Sequence, residues 1–184
     1  MTLLGQVLSS AKYPVQEILF DDLLVDEDAA SFDFIEIPQT YKHLILFGAV
    51  KSAISASSEA WKLRFNNIST STYDWVEAVF GNNAASFLEG AAETSANPLH
   101  IVGSTAPEGI FSMVYGYFPN YADTDVAPSY VFLNYTKIAN VATSQWIYFG
   151  GGSERSAAAI DRITLYAAAN DMLAGSRMTL YGVN

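Results

Sequence analysis

The sequence predicts an all-β protein, an antiparallel β-sandwich of the jelly-roll kind with at most one short helix. Three observations predict it. Apolar residues recur with period two or in short runs, those runs are bounded by Gly, Pro, Asn or Ser, and about eight or nine such segments fit into one chain of 184 residues. At 20.0 kDa the chain makes one domain around one core. Burial of roughly 70 % of the surface of the unfolded chain makes disulfides or a structural metal unnecessary for stability.

Taken in order, residues 1–30 form an acidic N-terminal arm or a first hairpin, and residues 31–184 form the sandwich. Ile18-Leu19-Phe20 and Leu23-Leu24-Val25 are strand material among charged residues, with Asp26-Glu27-Asp28 as the turn of that hairpin. Phe32-Asp33-Phe34 alternates. Pro38 lacks a backbone donor and belongs at a strand entry, where Gln39 and Thr40 turn the chain before residues 41–50 enter the sheet, of which residues 44–50 read as a largely buried strand broken by Gly48. In Trp61-Lys62-Leu63-Arg64-Phe65-Asn66 one face is core and the other is wet or meets a partner. Residues 73–88 offer the one helical alternative, with Trp75, Val79 and Phe80 at helix-like spacing, broken at Gly81-Asn82-Asn83. The alanine-rich stretch 82–98 reads as a long exposed loop. Strands follow at 110–118, 130–135 and 145–149, and the chain closes on a hairpin of residues 160–167 and 177–183 around Asn170-Asp171 and Gly175.

Nine Lys and Arg against nineteen Asp and Glu leave a net charge of −10, the wrong sign for coating a phosphate backbone or an anionic membrane. No nucleic acid and no membrane are expected as partners. Seven of those ten net charges lie within the first 36 residues, where eight acids face Lys12 alone. Charged residues total only 15 % and hydrophobic residues 51 %, a surplus of apolar surface for one small domain. The longest apolar runs fall far short of the roughly 20 residues of a membrane span, so burial between subunits is the simplest use of that surplus. The first ten residues carry neither a basic charge nor a long apolar block, so no secretory signal is expected.

The residues of catalysis are scarce. Cysteine is absent, and of the two histidines His43 lies inside an apolar strand while His100 begins another with no acid nearby in sequence. No zinc spacing is present. The serines in Gly152-Ser153-Glu154-Arg155 and Ala174-Gly175-Ser176-Arg177 sit in tight turns rather than nucleophile elbows, and Gly150-Gly151-Gly152 reads as a turn, since no Lys-Ser/Thr follows. Asp123-Thr124-Asp125 resembles a fragment of a calcium loop without its Gly and closing Glu. Nineteen acids permit a glycosidase pair, but nothing selects one. No enzyme, catalytic residue, cofactor or metal is expected. Tyr115, Tyr117, Phe118, Tyr121 and Tyr130 fit a core or a subunit contact better than a sugar platform.

Three stretches carry a recognisable pattern: Ile37-Pro38-Gln39-Thr40-Tyr41-Lys42-His43-Leu44; Arg64-Phe65-Asn66-Asn67 followed by Ser71-Thr72-Tyr73; and Ala174-Gly175-Ser176-Arg177-Met178-Thr179-Leu180-Tyr181-Gly182-Val183. With Trp146 and Ala159-Ile160-Asp161-Arg162-Ile163-Thr164-Leu165 between them, the order resembles a domain common in tailed-bacteriophage virion structural proteins, over a span from about Phe20 to the end. The resemblance implies a jelly-roll-like sandwich found in head-decoration proteins and in modules of tail fibres or spikes. A single domain without a shaft favours a capsid decoration (cement) protein: a homotrimer on the outer capsid surface, bound to itself and to the major capsid protein, stabilising the head. The alternative is a receptor- or carbohydrate-binding module of a tail fibre or spike. The interface candidates are Leu19, Phe20, Leu23, Leu24, Asp26, Glu27 and Asp28 of the acidic segment, with Tyr117, Phe118 and Tyr121.

Overall fold

The computed structural model describes residues 17–138 and 144–184, which form twelve strands and, among the described residues, no helix. In chain order these are β1 (Glu17–Leu24), β2 (Ser31–Phe34), β3 (His43–Val50), β4 (Ser58–Phe65), β5 (Tyr73–Gly81), β6 (Ala84–Glu93), β7 (Ala96–Val102), β8 (Ser112–Pro119), β9 (Ser129–Lys137), β10 (Gln145–Glu154), β11 (Ile163–Ala167) and β12 (Arg177–Val183). Two antiparallel sheets pack as a sandwich. The large sheet has eight strands in the order β1-β12-β3-β8-β9-β10-β5-β6; the small one has four, β2-β11-β4-β7.

Period-two patterning builds both layers. In β4 every second residue is buried, so Trp61, Leu63 and Phe65 enter the core while Lys62 and Arg64 point outward. Facing them from the large sheet are Leu44 and Leu46 of β3, Phe118 of β8, Phe132 of β9 and Leu180 of β12, all fully buried. Aromatic rings lock the layers at the centre: Phe118 and Phe132 meet edge to face at 5.7 Å, Phe65 lies 5.9 Å from Phe118, and Trp61 lies 6.4 Å from Phe132. Edge-to-face pairing sets the positive ring edge against the negative ring face and adds to the area buried.

Several expectations are corrected. The stretch 82–98 is not a loop, and residues 73–88 are not helical: β5 and β6 form a hairpin in which Gly81 pairs with Ala84. Asn82 and Asn83 between them both have positive φ, 50° and 60°, the backbone of a two-residue turn whose twist matches that of the strands. Alanine is a poor strand former, but once that turn is made the pairing partners supply the ladder. Gly150-Gly151-Gly152 is not a turn either; all three glycines lie within β10 and pair with Glu77, Val76 and Trp75 of β5. The closing hairpin is absent too, because β11 pairs with β2 and β4 in the small sheet while β12 pairs with β1 and β3 in the large one. The segment around Gly175, whose φ is +86°, therefore carries the chain from one sheet to the other.

The strands on either side of Asp26-Glu27-Asp28 likewise part company, β1 joining β12 and β2 joining β11, so these acids cross the side of the sandwich instead of closing a hairpin. Residues 1–16 of the expected arm lie outside the described residues.

Candidate functional site

The outward positions of the large sheet fall into cross-strand rows. One row runs Thr179, Phe47, Tyr115, Leu133, Phe149, Ala78 and Phe87 across β12, β3, β8, β9, β10, β5 and β6. A second runs Arg177, Ala49, Met113, Tyr135, Ile147, Phe80 and Ala85; a third runs Tyr181, Ile45, Tyr117, Val131, Gly151, Val76 and Glu89, so that its charges stand on the outer strands β12 and β6. Met113 is 67 % exposed, Phe87 72 % and Phe149 52 %. The outward positions of the four central strands, β3, β8, β9 and β10, carry no acid, and their one Lys or Arg is Lys137 at the end of β9. Contiguous apolar patches of this extent on a protein surface mark contact sites.

This face has relief as well as area. A depression of about 280 Å³ lies above Gly150 and Gly151, walled by Val76, Ala78, Phe87, Val131 and Phe149. A second of about 170 Å³ opens among Phe47, Met113, Tyr115, Leu133, Tyr135 and Ile147. Toward the β5–β6 hairpin an open groove of about 560 Å³ brings together Asp74, Trp75, Val76, Glu89, Gly90 and the backbone of Gly151 and Gly152.

Charge is confined to the margins. At one edge Arg177 donates to both carboxylate oxygens of Asp22, with Thr179 donating a third hydrogen bond at 2.9 Å. The Arg177 and Thr179 hydrogen bonds hold the Asp22 carboxyl down at about 2. Near the other edge Arg155 grips Asp74 at 2.6 and 2.7 Å, and the same contact lowers the Asp74 pKa. The small sheet presents the opposite outer face. Its rows read Asp33, Thr164, Arg64 and Ser31, Tyr166, Lys62, with the Arg64 guanidinium 5.2 Å from the centre of the Tyr166 ring.

The interface candidates divide between surface and core. Leu19 pairs with Tyr181, and Phe20 occupies the irregularity between Leu19 and Asp21. Leu23 packs against the core, Leu24 is 55 % exposed beside Arg177, and Asp26, Glu27 and Asp28 are exposed on the side of the sandwich. Asp28 accepts a hydrogen bond from the Ala174 amide at 3.1 Å, so it fastens the β1–β2 connection to the segment leading into β12. Tyr117 lies on the outer face beside His43, ring centres 5.5 Å apart. Phe118 and Tyr121 are corrected: at 0 % and 1 % exposure both are core residues, because β8 alternates and Tyr121 turns inward to donate its hydroxyl to the Pro38 carbonyl.

Sequence reasoning missed Phe47, Met113, Leu133, Ile147 and Phe149. Their signal was present in runs such as Leu44-Ile45-Leu46-Phe47, Tyr130-Val131-Phe132-Leu133 and Trp146-Ile147-Tyr148-Phe149. A strand apolar at consecutive positions is apolar on both faces, and in an antiparallel sandwich only one of those faces can be core.

It also missed a polar cluster inside the sandwich. Glu77 is fully buried in β5, no hydrogen-bond partner reaches either carboxylate oxygen, and His100 Nε2 stands 3.9 Å away. His100 stacks on Tyr148 with ring centres 5.5 Å apart. Burial pushes the Glu77 carboxyl up to about 7, against the pull of Lys62, and lowers the His100 pKa. A neutral acid beside a neutral imidazole is the state this environment favours. Neither residue lines the depressions described above, and the His100 side chain keeps 27 % of its surface in water while Glu77 has none. Among the described residues no cluster of three or more His, Asp or Glu side chains is placed to hold a metal ion. Comparison with known protein families, with curated proteins and with solved structures finds no match to this chain.

Proposed function

We propose that this chain is a structural protein of a tailed-bacteriophage virion: a capsid decoration (cement) protein that sits on the outer capsid surface as an oligomer, contacts the major capsid protein and stabilises the head by binding alone. The apolar centre of the large sheet's outer face, free of acids, carries this reading. A protein that acts by contact needs area rather than a reactive recess, and here the greatest departure from an ordinary surface is an expanse of exposed Phe, Met, Leu and Ile. The stretches that resemble virion proteins support the location. They supply framework positions, Ile37 ahead of β3, Leu44 within it, Phe65 closing β4 and Met178 and Leu180 in β12, all of them buried. Framework residues of this kind speak for a fold rather than for a reaction. Many copies on one shell act together, so modest affinity per copy adds up to resistance against the pressure of packaged DNA.

The test is co-sedimentation of the purified protein with empty heads, with bound copies counted against the major capsid protein. Decoration gives a stoichiometry comparable to the shell protein and heads that rupture at higher temperature. Absence of bound protein at saturating concentration would remove the reading. The groove lined by Asp74, Glu89 and the backbone of Gly151 and Gly152 favours one alternative, a glycan-binding module of a tail fibre or spike, because carboxylates and backbone groups in an open recess can hydrogen-bond sugar hydroxyls. A glycan array with Glu89→Ala as its control separates the two, since decoration predicts no glycan signal.

A further inference from the structure

We infer that the outer face of the eight-stranded sheet is covered by the same face of a second copy of this chain, the two related by a two-fold axis. The inference deepens the reading of this face as a contact surface and, in naming the face as the contact between copies, rests on it.

Area comes first. Ten large apolar side chains on this face are each between 40 % and 72 % exposed. Five of them are aromatic; with roughly 150–250 Å² for an aromatic side chain and somewhat less for the aliphatic ones, about half of it in water, the exposed total approaches roughly 1,000 Å² per copy. A stable pair of subunits needs about 800 Å² per partner, whereas an ordinary monomer leaves at most roughly 300–600 Å² in its largest apolar patch.

Charge selects the partner. Each copy carries a net charge of −10, so two copies repel wherever their acidic surfaces approach. The central strands of this face hold no outward acid, while Asp26, Glu27 and Asp28 cross the side of the sandwich and Asp22 and Asp74 sit at the margins gripped by Arg177 and Arg155. Contact through this face keeps the acidic surfaces apart while removing the apolar one from water. A basic partner would find nothing at the centre to pair with; a second copy finds a surface as uncharged as its own.

Shape is compatible with self-pairing. Protruding Met113 and Phe87 share the face with the depression above Gly151 and the one beside Leu133, so a single surface supplies both knobs and hollows. Sheet faces pack about 10 Å apart with interdigitating side chains, the geometry this relief permits. A patch that matches itself closes on a two-fold, so the unit formed through it is a dimer. The homotrimer expected from the resemblance would need a different contact.

Sedimentation equilibrium or light scattering across a concentration series tests this. The unaltered protein is expected at twice the 20.0 kDa chain mass, dissociating on dilution. Leu133→Glu and Phe149→Glu, each placing a charge at the centre of the face, are expected to weaken association by at least roughly thirtyfold, the effect of a central contact residue. Leu133→Thr keeps a strand-compatible side chain and guards against loss of folding; it is expected to weaken association about tenfold with an unchanged far-ultraviolet spectrum. Tyr166→Ala, on the outer face of the small sheet, should leave the dimer intact. A strictly monomeric protein, a mass of three chains, or an assembly that Leu133→Thr and Phe149→Glu leave whole would overturn the inference. Dimers that ignore phage heads would remove the decoration reading and leave this one standing; monomers that decorate heads would do the reverse.

Discussion

The two outer faces of this sandwich are built from the same alternating strands and finished in opposite ways. On the small sheet the outward positions join into charge-bearing contacts: Asp33 accepts from Arg162 at 2.7 Å, from Thr164 at 2.6 Å and from Ser31 at 2.7 Å, and Arg64 lies over Tyr166. On the large sheet the outward positions at the centre are Phe47, Met113, Leu133, Ile147 and Phe149. Alternation fixes which residues leave the core, but it says nothing of what they meet outside. The small face is finished for water. The large one is stable in water only at a cost that contact with another surface removes.

Adjacent residues of β9 separate the two kinds of surface within one strand, because Phe132 points inward and Leu133 outward. Phe132 is fully buried and touches the rings of Trp61, Phe118 and Tyr130. Phe132→Ala is expected to cost about 3–5 kcal/mol in denaturant unfolding, the range for emptying an aromatic site in a core. Leu133→Ala, measured on dilute protein, is expected to cost less than about 1 kcal/mol, since its side chain is 46 % exposed. Equal losses at the two positions would mean that the outer face is already packed within one chain, and the distinction between the faces would fail.

How far this was legible depends on the signal each residue leaves in the sequence. Trp61, Leu63 and Phe65 alternate with Lys62 and Arg64, so strand, face and burial could all be read from one strand. Phe118 and Tyr117 are neighbours of the same chemical type, and only the phase of β8 tells which is buried. That phase is set by pairing with Leu44 and Ile45 of β3, distant in sequence. The glycines of β10 looked like a turn for a similar reason. Their strand character comes from β5 and β9 on either side, not from their own propensity. Glu77 left no local signal at all, because its burial depends on β7 bringing His100 over β10.

Glu77 yields the next largest effect and tests whether the polar cluster belongs to the interior rather than to either face. Its carboxyl titrates at about 7 when folded against 4.5 when unfolded. Between those values the unfolded chain has released a proton that the folded chain retains, so stability falls as pH rises from 4.5 and levels off above 7. The fall is at most about 3 kcal/mol. His100 acts in the opposite sense: its folded pKa lies below 6.5, so its contribution declines as pH falls through that range. Glu77→Gln is expected to match the unaltered protein near pH 4.5 and to exceed its stability by up to about 3 kcal/mol at pH 8, while the acid-side declines of His100 and of the carboxylates with lowered pKa remain. Thermal unfolding at a series of pH values reads the difference, and parallel profiles for the two proteins would place Glu77 in contact with solvent.

The smallest effect lies on the wet face, and its pH dependence runs the other way. Burial raises the Asp33 pKa, but hydrogen bonds from Ser31, Thr164 and Arg162 outweigh it and hold the carboxyl below its ordinary value of 3.8. A depressed pKa contributes stability that is present above the unfolded value and lost as pH falls through the folded one. Asp33→Ala is therefore expected to cost most at neutral pH and nothing in strong acid. Asp33 and Arg162 each remain about a third exposed, so solvent screening limits the neutral-pH cost to about 1 kcal/mol or less. Chemical denaturation at pH 7 and in strong acid measures it, with association followed in the same samples. Because the small sheet's outer face takes no part in pairing, Asp33→Ala should loosen the chain without changing its oligomeric mass, whereas Leu133→Ala should do the converse. A loss of association in Asp33→Ala would show that the two faces are coupled through the core, and that the apolar face cannot be treated as an independent docking surface.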